Sequence, residues 1–183
     1  VSKDIEVRRM VKQVTKKFGR IDALVNCAGT TTFVDLKNLE GLSDEEFDNA
    51  FGVNAKGVFF TSRACAEELK QNKGSIVNIV SVAGLKGKGS SIAYCASKAA
   101  AISITKSLAM ALAPEVRVNG VAPGPVQTRW IAGQEEVVQK LSTGTPLGRI
   151  ARPEDVAEVV VGLITGAGFV TGQIIVVDGG NTI

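Results

Sequence analysis

Two short apolar runs limit what this chain can fold into: Ser75-Ile76-Val77-Asn78-Ile79-Val80 and Val116 to Val121. Each has the length and β-branched content of a strand, and the first is bounded by Gly74 and Gly84. The first reads as a buried strand, as strands of parallel sheets are, and the second as another such run. Between them, Ala93 to Ala113 has helical length and is apolar nearly all round, with Ala99, Ala100, Ala101, Ile102, Ile104, Leu108, Ala109 and Leu112. Such a helix is buried on more than one face. The spacing therefore predicts an α/β chain.

Further elements fit that plan. Ser2 to Phe18 places Val7, Met10, Val11, Val14 and Phe18 at helical intervals, with Gly19 as its carboxyl-terminal cap. Ile21 to Val25 and Gln173 to Val177 read as two more strands. Ser43-Asp44-Glu45-Glu46 is a capping box that opens a long helix toward Lys70. Arg152-Pro153-Glu154-Asp155 opens another, with proline in its first position and acids in its first turn. Its apolar run, Val156 to Ile164, belongs to the core.

Composition narrows the function classes. A chain of 183 residues with 45% hydrophobic content suits a single domain. The net charge of +3 is spread over scattered lysines and arginines, which argues against a nucleic acid or membrane partner. Neither an apolar run of about 18 residues nor a signal-peptide pattern is present, so a cytoplasmic location is expected. Three cysteines without C-x-x-C spacing, and no histidine, argue against a disulfide scaffold, a zinc site and a Ser-His or Cys-His hydrolase. No metal is expected. Proton transfer falls to tyrosine, lysine or a carboxylate.

Tyr94-Cys95-Ala96-Ser97-Lys98 supplies two of these. On a helix, residues four apart share a face, so the Tyr94 phenol and the Lys98 ammonium are expected to point into one pocket. A cation within about 4–6 Å favours the phenolate, and Lys98 is expected to lower the Tyr94 pKa toward neutrality. Ser81 stands at the carboxyl end of the first strand run, where open parallel sheets bind ligands. Gly52 and Gly57 bracket Asn54 inside the long helix and predict a kink there. After the strand at Ile21–Val25, Ala28 and Gly29 leave room for a flat ligand against the backbone. The glycine- and lysine-rich stretch Val82 to Ile92 does not match a phosphate-binding loop and reads as a flexible loop beside the substrate. Gln127 to Ile150 is long for a connection and reads as a lid, with Trp130 inside it.

Taken together, a strand-end serine thirteen positions before a Y-x-x-x-K helix, followed by a strand ending in Pro123-Gly124-Pro125-Val126-Gln127-Thr128, resembles a short-chain dehydrogenase/reductase. Asn26-Cys27-Ala28-Gly29 resembles that family's N-x-A-G turn, and Asn54 its helix asparagine. The likeness runs from Val1 to Val177-Asp178-Gly179-Gly180 and is nearest to 3-oxoacyl-carrier-protein reductases, although Thr128-Arg129-Trp130 departs from their usual Thr-Asp-Met. A sugar or polyol dehydrogenase is the other substrate class it leaves. The resemblance implies a doubly wound, Rossmann-like parallel sheet and an NAD(P)-dependent oxidoreductase that interconverts a carbonyl and a secondary alcohol. It assigns Tyr94 as general acid/base, Ser81 as the group orienting the substrate oxygen, Lys98 as a ligand of the nicotinamide ribose and Asn54 as support for a water relay. It gives cofactor contacts to Asn26, Ala28, Gly29, Tyr94, Lys98, Pro123, Gly124, Val126 and Thr128. Asn26 also helps to hold the central strand, and Val126 and Thr128 grip the carboxamide. It further implies a homotetramer built on the helices that carry Asn54 and Tyr94.

The family's glycine-rich turn and its first strands have no counterpart here, so residues 1–183 are read as one incomplete domain lacking an amino-terminal cofactor-binding segment. The choice between NAD and NADP would lie in that segment. A noncatalytic remnant or interaction subunit of such an enzyme is the alternative reading. An unpaired, apolar edge is expected on the Ile21–Val25 strand.

Overall fold

The computed structural model describes residues 1–133 and 135–183, with the backbone alone at Val137. Four parallel strands form one sheet in the order β1 (Ala23–Asn26), β2 (Ser75–Ile79), β3 (Arg117–Pro123) and β4 (Ile174–Val177). All four lie where the apolar runs placed them. Helix α1 (Asp4–Phe18) precedes β1 and ends on Gly19 at φ 79°, a conformation that glycine adopts without penalty. Helices α2 (Asp44–Phe51) and α3 (Gly57–Gln71) connect β1 to β2, with the Ser43–Glu46 capping box formed as the sequence indicates. The short α4 (Ala83–Lys86) and the long α5 (Ile92–Leu112) link β2 to β3; α6 (Glu135–Thr143) and α7 (Pro153–Thr165) link β3 to β4.

The period of two along β2 and β3 sorts their side chains onto opposite faces. Ile76 and Val118, paired in register, join Val11, Cys65, Leu69, Leu108 and Leu112 in the layer under α1, α3 and α5. Val77 and Val121 join Val160 and Leu163 of α7 on the other side. Helices cover both faces, which is the doubly wound arrangement. Across the described residues β1 has a strand on one side only, and its Val25 is 41% exposed, the open edge anticipated from the sequence.

Two connections differ from expectation. The stretch after Ser81 is not wholly a flexible loop: Ala83 to Lys86 form a helical turn closed by Gly87 at φ 66°. The connection from Gln127 to Ile150 contains α6, whose first turn carries Glu135 and Glu136, the side favoured by the helix dipole. Glycine and proline at its two ends had masked this short amphipathic segment.

Candidate active site

The carboxyl ends of β2 and β3 are fastened together before any side chain acts. Val80 N–H donates to the Val121 carbonyl at 2.8 Å, and Val82 N–H to the Pro123 carbonyl at 3.1 Å. These two rungs fix Ser81 between them. Its hydroxyl accepts from Ala83 N–H at 3.1 Å and is buried, and it also hydrogen-bonds toward the Tyr94 phenol. The Ser81 hydroxyl therefore lies beside the Tyr94 phenol.

Tyr94 rises from the first turn of α5, where the Ser91 hydroxyl caps the helix by accepting from Tyr94 N–H at 3.2 Å. One turn on, Lys98 is 5% exposed, and its Nζ donates to the Ile79 carbonyl at 2.8 Å. That nitrogen is 5.8 Å from the centre of the Tyr94 ring, so the two side chains share one pocket. Their electrostatics differ from the sequence expectation. Burial holds the Tyr94 phenol above its ordinary pKa of 10.0; the hydrogen bond from Ser81 opposes this and is the smaller effect. Burial also pushes Lys98 down to about 8, against a smaller opposing pull from Cys27. Desolvation disfavours the charged form of each, and the ammonium is committed to a carbonyl, so no acidified phenol results.

Asn54 lies in a π-helical turn, Gly52–Lys56, between α2 and α3, with Gly57 N–H bonded to the Gly52 carbonyl five residues back. This is the irregularity that Gly52 and Gly57 foretold. The extra residue in the turn directs a fully buried Asn54 toward the loop after β1 and the helix that carries Tyr94. Its amide pairs with the Thr30 backbone in both directions, at 2.9 Å each, and donates to Ser97 Oγ at 3.0 Å. Ser97 in turn donates to the Tyr94 carbonyl at 2.9 Å. Sequence reasoning passed over Ser97, although it sits inside the Y-x-x-x-K segment, because a helical serine most often satisfies itself on its own backbone. A second omission is the contact between Thr31 Oγ1 and Ser90 Oγ at 2.5 Å, which ties the loop after β1 to the start of the Tyr94 helix.

Asn26, at the end of β1, works inside the core. Its Nδ2 donates to Asn78 Oδ1 at 2.8 Å and to Ser62 Oγ at 3.2 Å, while its Oδ1 accepts from Thr61 at 2.6 Å. Asn78 continues the chain to Thr105 at 2.9 Å. These buried amides join β1, β2, α3 and α5. After Asn26, Ala28 and Gly29 run beside the site: a Cβ on Gly29 would lie 3.5 Å from Asn54 Oδ1 and 3.6 Å from Lys98 Nζ.

The Pro123–Thr128 turn leaves β3 pinned on two sides. Gly124 N–H donates to the Val177 carbonyl at 3.0 Å, and a Cβ on Gly124 would fall 2.7 Å from Cβ of Asp178, so only glycine fits that approach. Val126 forms a parallel bridge with Ala151, closed by Gln127 N–H to the Ala151 carbonyl at 2.9 Å and Ala151 N–H to the Pro125 carbonyl at 3.1 Å. Thr128 Oγ1 accepts from Trp130 N–H at 3.4 Å. Beyond, an open cavity of about 680 Å³ has Gln127, Thr128, Arg129, Ile131, Gln139 and Ser142 in its lining, and the Trp130 ring turns to the Tyr94 ring, centre to centre 6.2 Å at 75°.

The chemistry of this constellation fits a dinucleotide. A glycine turn without side-chain bulk, a buried ammonium and a pinned strand-end turn converge at the carboxyl edge of a parallel sheet, where such ligands bind. Comparison with known proteins points the same way. The family model described as enoyl-(acyl carrier protein) reductase matches residues 1–182. The chain is 40% identical to the 3-oxoacyl-[acyl-carrier-protein] reductase FabG of Thermotoga maritima, over 96% of its own length and 72% of that protein's. It is 50% identical to the short-chain dehydrogenase/reductase homolog YusR of Bacillus subtilis, over 70% of its length and 99% of the relative's. A glucose/ribitol dehydrogenase crystal structure from Brucella melitensis superposes with a TM-score of 0.92 at 33% identity, covering 100% of this chain and 74% of that one. With the family model, these relatives and the site geometry in agreement, the chain belongs to the short-chain dehydrogenase/reductase family, as an NAD(P)-dependent oxidoreductase that interconverts carbonyl and alcohol.

Proposed function

We propose that Tyr94 is the proton donor and acceptor of this enzyme, that Ser81 orients the substrate oxygen, and that Lys98 and Asn54 support them. The single observation that carries the reading is the convergence of Ser81 and Lys98 on the half-buried Tyr94 side chain. A phenol that keeps its proton well above neutral pH is a ready donor to a carbonyl oxygen. Ser81, its backbone locked between two interstrand bonds, offers its hydroxyl to the same oxygen. The Lys98 charge, retained below pH of about 8, faces the phenolate that forms as the proton leaves. Asn54 braces the site: through Ser97 it holds the turn that carries Tyr94.

The nicotinamide of NAD or NADP supplies or accepts the hydride when bound. Residues proposed to hold the cofactor are Ala28 and Gly29 through their backbone, with Tyr94, Lys98, Pro123, Gly124, Val126 and Thr128; Asn26 contributes by fixing the end of β1. The substrate class is a small carbonyl or alcohol, with an acyl thioester or a sugar as the two candidates. Residues 1–183 are read as one domain of a homotetramer assembled on α3 and α5, working in the cytoplasm; Phe59 and Met110, 40% and 76% exposed on those helices, support the interface. Among the described residues no helix is long and apolar enough to cross a membrane.

The deciding experiment is Tyr94→Phe in the intact protein. General acid catalysis contributes about 10²- to 10⁴-fold, so turnover should fall by that factor while NAD(P)H titration gives a Kd within about twofold of wild type. Retained turnover would remove Tyr94 from the mechanism.

A further inference from the structure

Thr30-Thr31-Thr32 follows the Ala28–Gly29 turn directly, and each residue of this run is tied to a different element. The Thr30 backbone is held in both directions by Asn54 of the π-helical turn. Thr31 Oγ1 meets Ser90 Oγ at 2.5 Å, beside a backbone bond from Val34 N–H to the Ser90 carbonyl at 2.8 Å. The Thr32 hydroxyl bonds to the Glu46 carboxylate, a member of the α2 capping box. Thr31 Oγ1 also donates to the Thr32 carbonyl at 3.2 Å, which leaves Ser90 to donate the shorter bond. The run is therefore a junction that fastens the exit of a glycine turn to three helical segments.

Ser90 is the end of this junction nearest the chemistry. On one side of it, a Cβ on Gly89 would lie 2.9 Å from Ala83 Cβ, 3.0 Å from Cys95 Sγ and 3.4 Å from Tyr94 Cδ1, so the backbone rests against the Tyr94 ring. On the other side, Ser91 Oγ accepts from Tyr94 N–H. A displacement of Ser90 thus reaches Tyr94 through both its ring and its backbone.

We propose that Thr31 and Ser90 are positioning residues for the reaction, whose bond keeps the Ala28–Gly29 turn in register with the Tyr94 ring and so sets the offset between cofactor and proton donor. This rests on the reading of that turn as a cofactor contact and of Tyr94 as the proton donor. Neither hydroxyl needs to touch the substrate, because rates in an oriented site fall steeply when reacting groups are misplaced by on the order of 1 Å.

The test uses the intact protein with NADH or NADPH and ethyl acetoacetate as the carbonyl probe. Loss of one hydrogen bond should lower kcat by about three- to tenfold in Thr31→Val and in Ser90→Ala, with KM for the ester within about twofold of wild type. Both substitutions break the same bond, so the double variant should be no slower than the slower single. Thr31→Ser, which keeps the hydroxyl, should restore the rate, and in a Tyr94→Phe background neither substitution should slow the residual turnover further. Singles that match wild type, or a double variant whose loss is the product of the two, overturn the proposal. Hydrogen exchange reads the bridge even where the ester is not reduced. Saturating cofactor should slow amide exchange over residues 89–94 by about threefold or more in wild type, and Thr31→Val should lose most of that slowing with cofactor still bound. Slowing that is absent from wild type, or that persists in the variant, again overturns it. Full turnover in Tyr94→Phe together with the expected exchange result means that the proton-transfer reading fails while the bridge stands.

Discussion

At the scale of single residues, Tyr94 and Lys98 titrate in opposite directions from one shared cause. Burial holds the phenol protonated, so the rate of carbonyl reduction should be flat from about pH 6 to 8, while alcohol oxidation, which needs the phenolate, climbs with pH. Rate profiles in the two directions check this; an oxidation rate that levels off near neutrality would mean that the bound cofactor or another base reverses the effect of burial. Lys98 carries a stability signature as well. Folded, it releases its proton at about 8; unfolded, near its ordinary 10.5. Between those values the unfolded chain binds more protons, so the contribution of this residue to stability rises with pH through that window. Melting temperatures of wild type minus Lys98→Met, taken from pH 8 to 10.5, should increase. The sign of these shifts was not legible in the sequence. Helical spacing shows that two side chains share a face, but desolvation depends on Ser81, Trp130 and the sheet end closing over them.

At the scale of elements, the π-turn and the lid each rest on a small set of bonds. Ser97→Ala removes an acceptor from the fully buried Asn54 amide and leaves a donor unmet, a loss worth about 1–3 kcal/mol. Chemical denaturation should show that drop, with kcat reduced alongside it because the same bond supports the Tyr94 turn. The lid is anchored where α7 begins. Arg149 grips Asp155 through two bonds, at 2.6 and 2.8 Å, and Asp155 also accepts from Arg152 N–H at 2.6 Å. Hydrogen bonds from Arg149, then from the Arg152 backbone, hold the Asp155 carboxyl well below the usual carboxylate range, so the anchor persists at pH values where ordinary aspartates protonate. Asp155→Ala should quicken limited proteolysis between residues 129 and 148 and raise KM for the cofactor, since Ala151 of the same anchor braces Val126. Strands and the long helices were readable because a buried strand or helix must be written in apolar residues at a fixed period. The capping box at Ser43 and the proline that opens α7 marked two starts within a residue. Helix α6 and the Thr31–Ser90 contact were hidden, the first by its punctuating glycines and the second because a bond across fifty-nine positions leaves no local trace.

At the scale of the molecule, the sheet gathers its chemistry from distant parts of the chain. Phe59 on α3, with Arg63 stacked 5.0 Å from its ring centre, and Met110 on α5 are apolar groups that an assembled oligomer would cover. Phe59→Asp should shift the protein to smaller species in sedimentation velocity; an unchanged distribution would place the interface elsewhere. The two rungs that tie Val80 to Val121 and Val82 to Pro123 reach further. Reagents that report on the stability of individual amides should find the backbone beside Ser81 among the last to open, and heat should abolish turnover only as the whole sheet comes apart. A serine threaded through the innermost rungs of its own scaffold keeps its place until the sheet that frames it gives way.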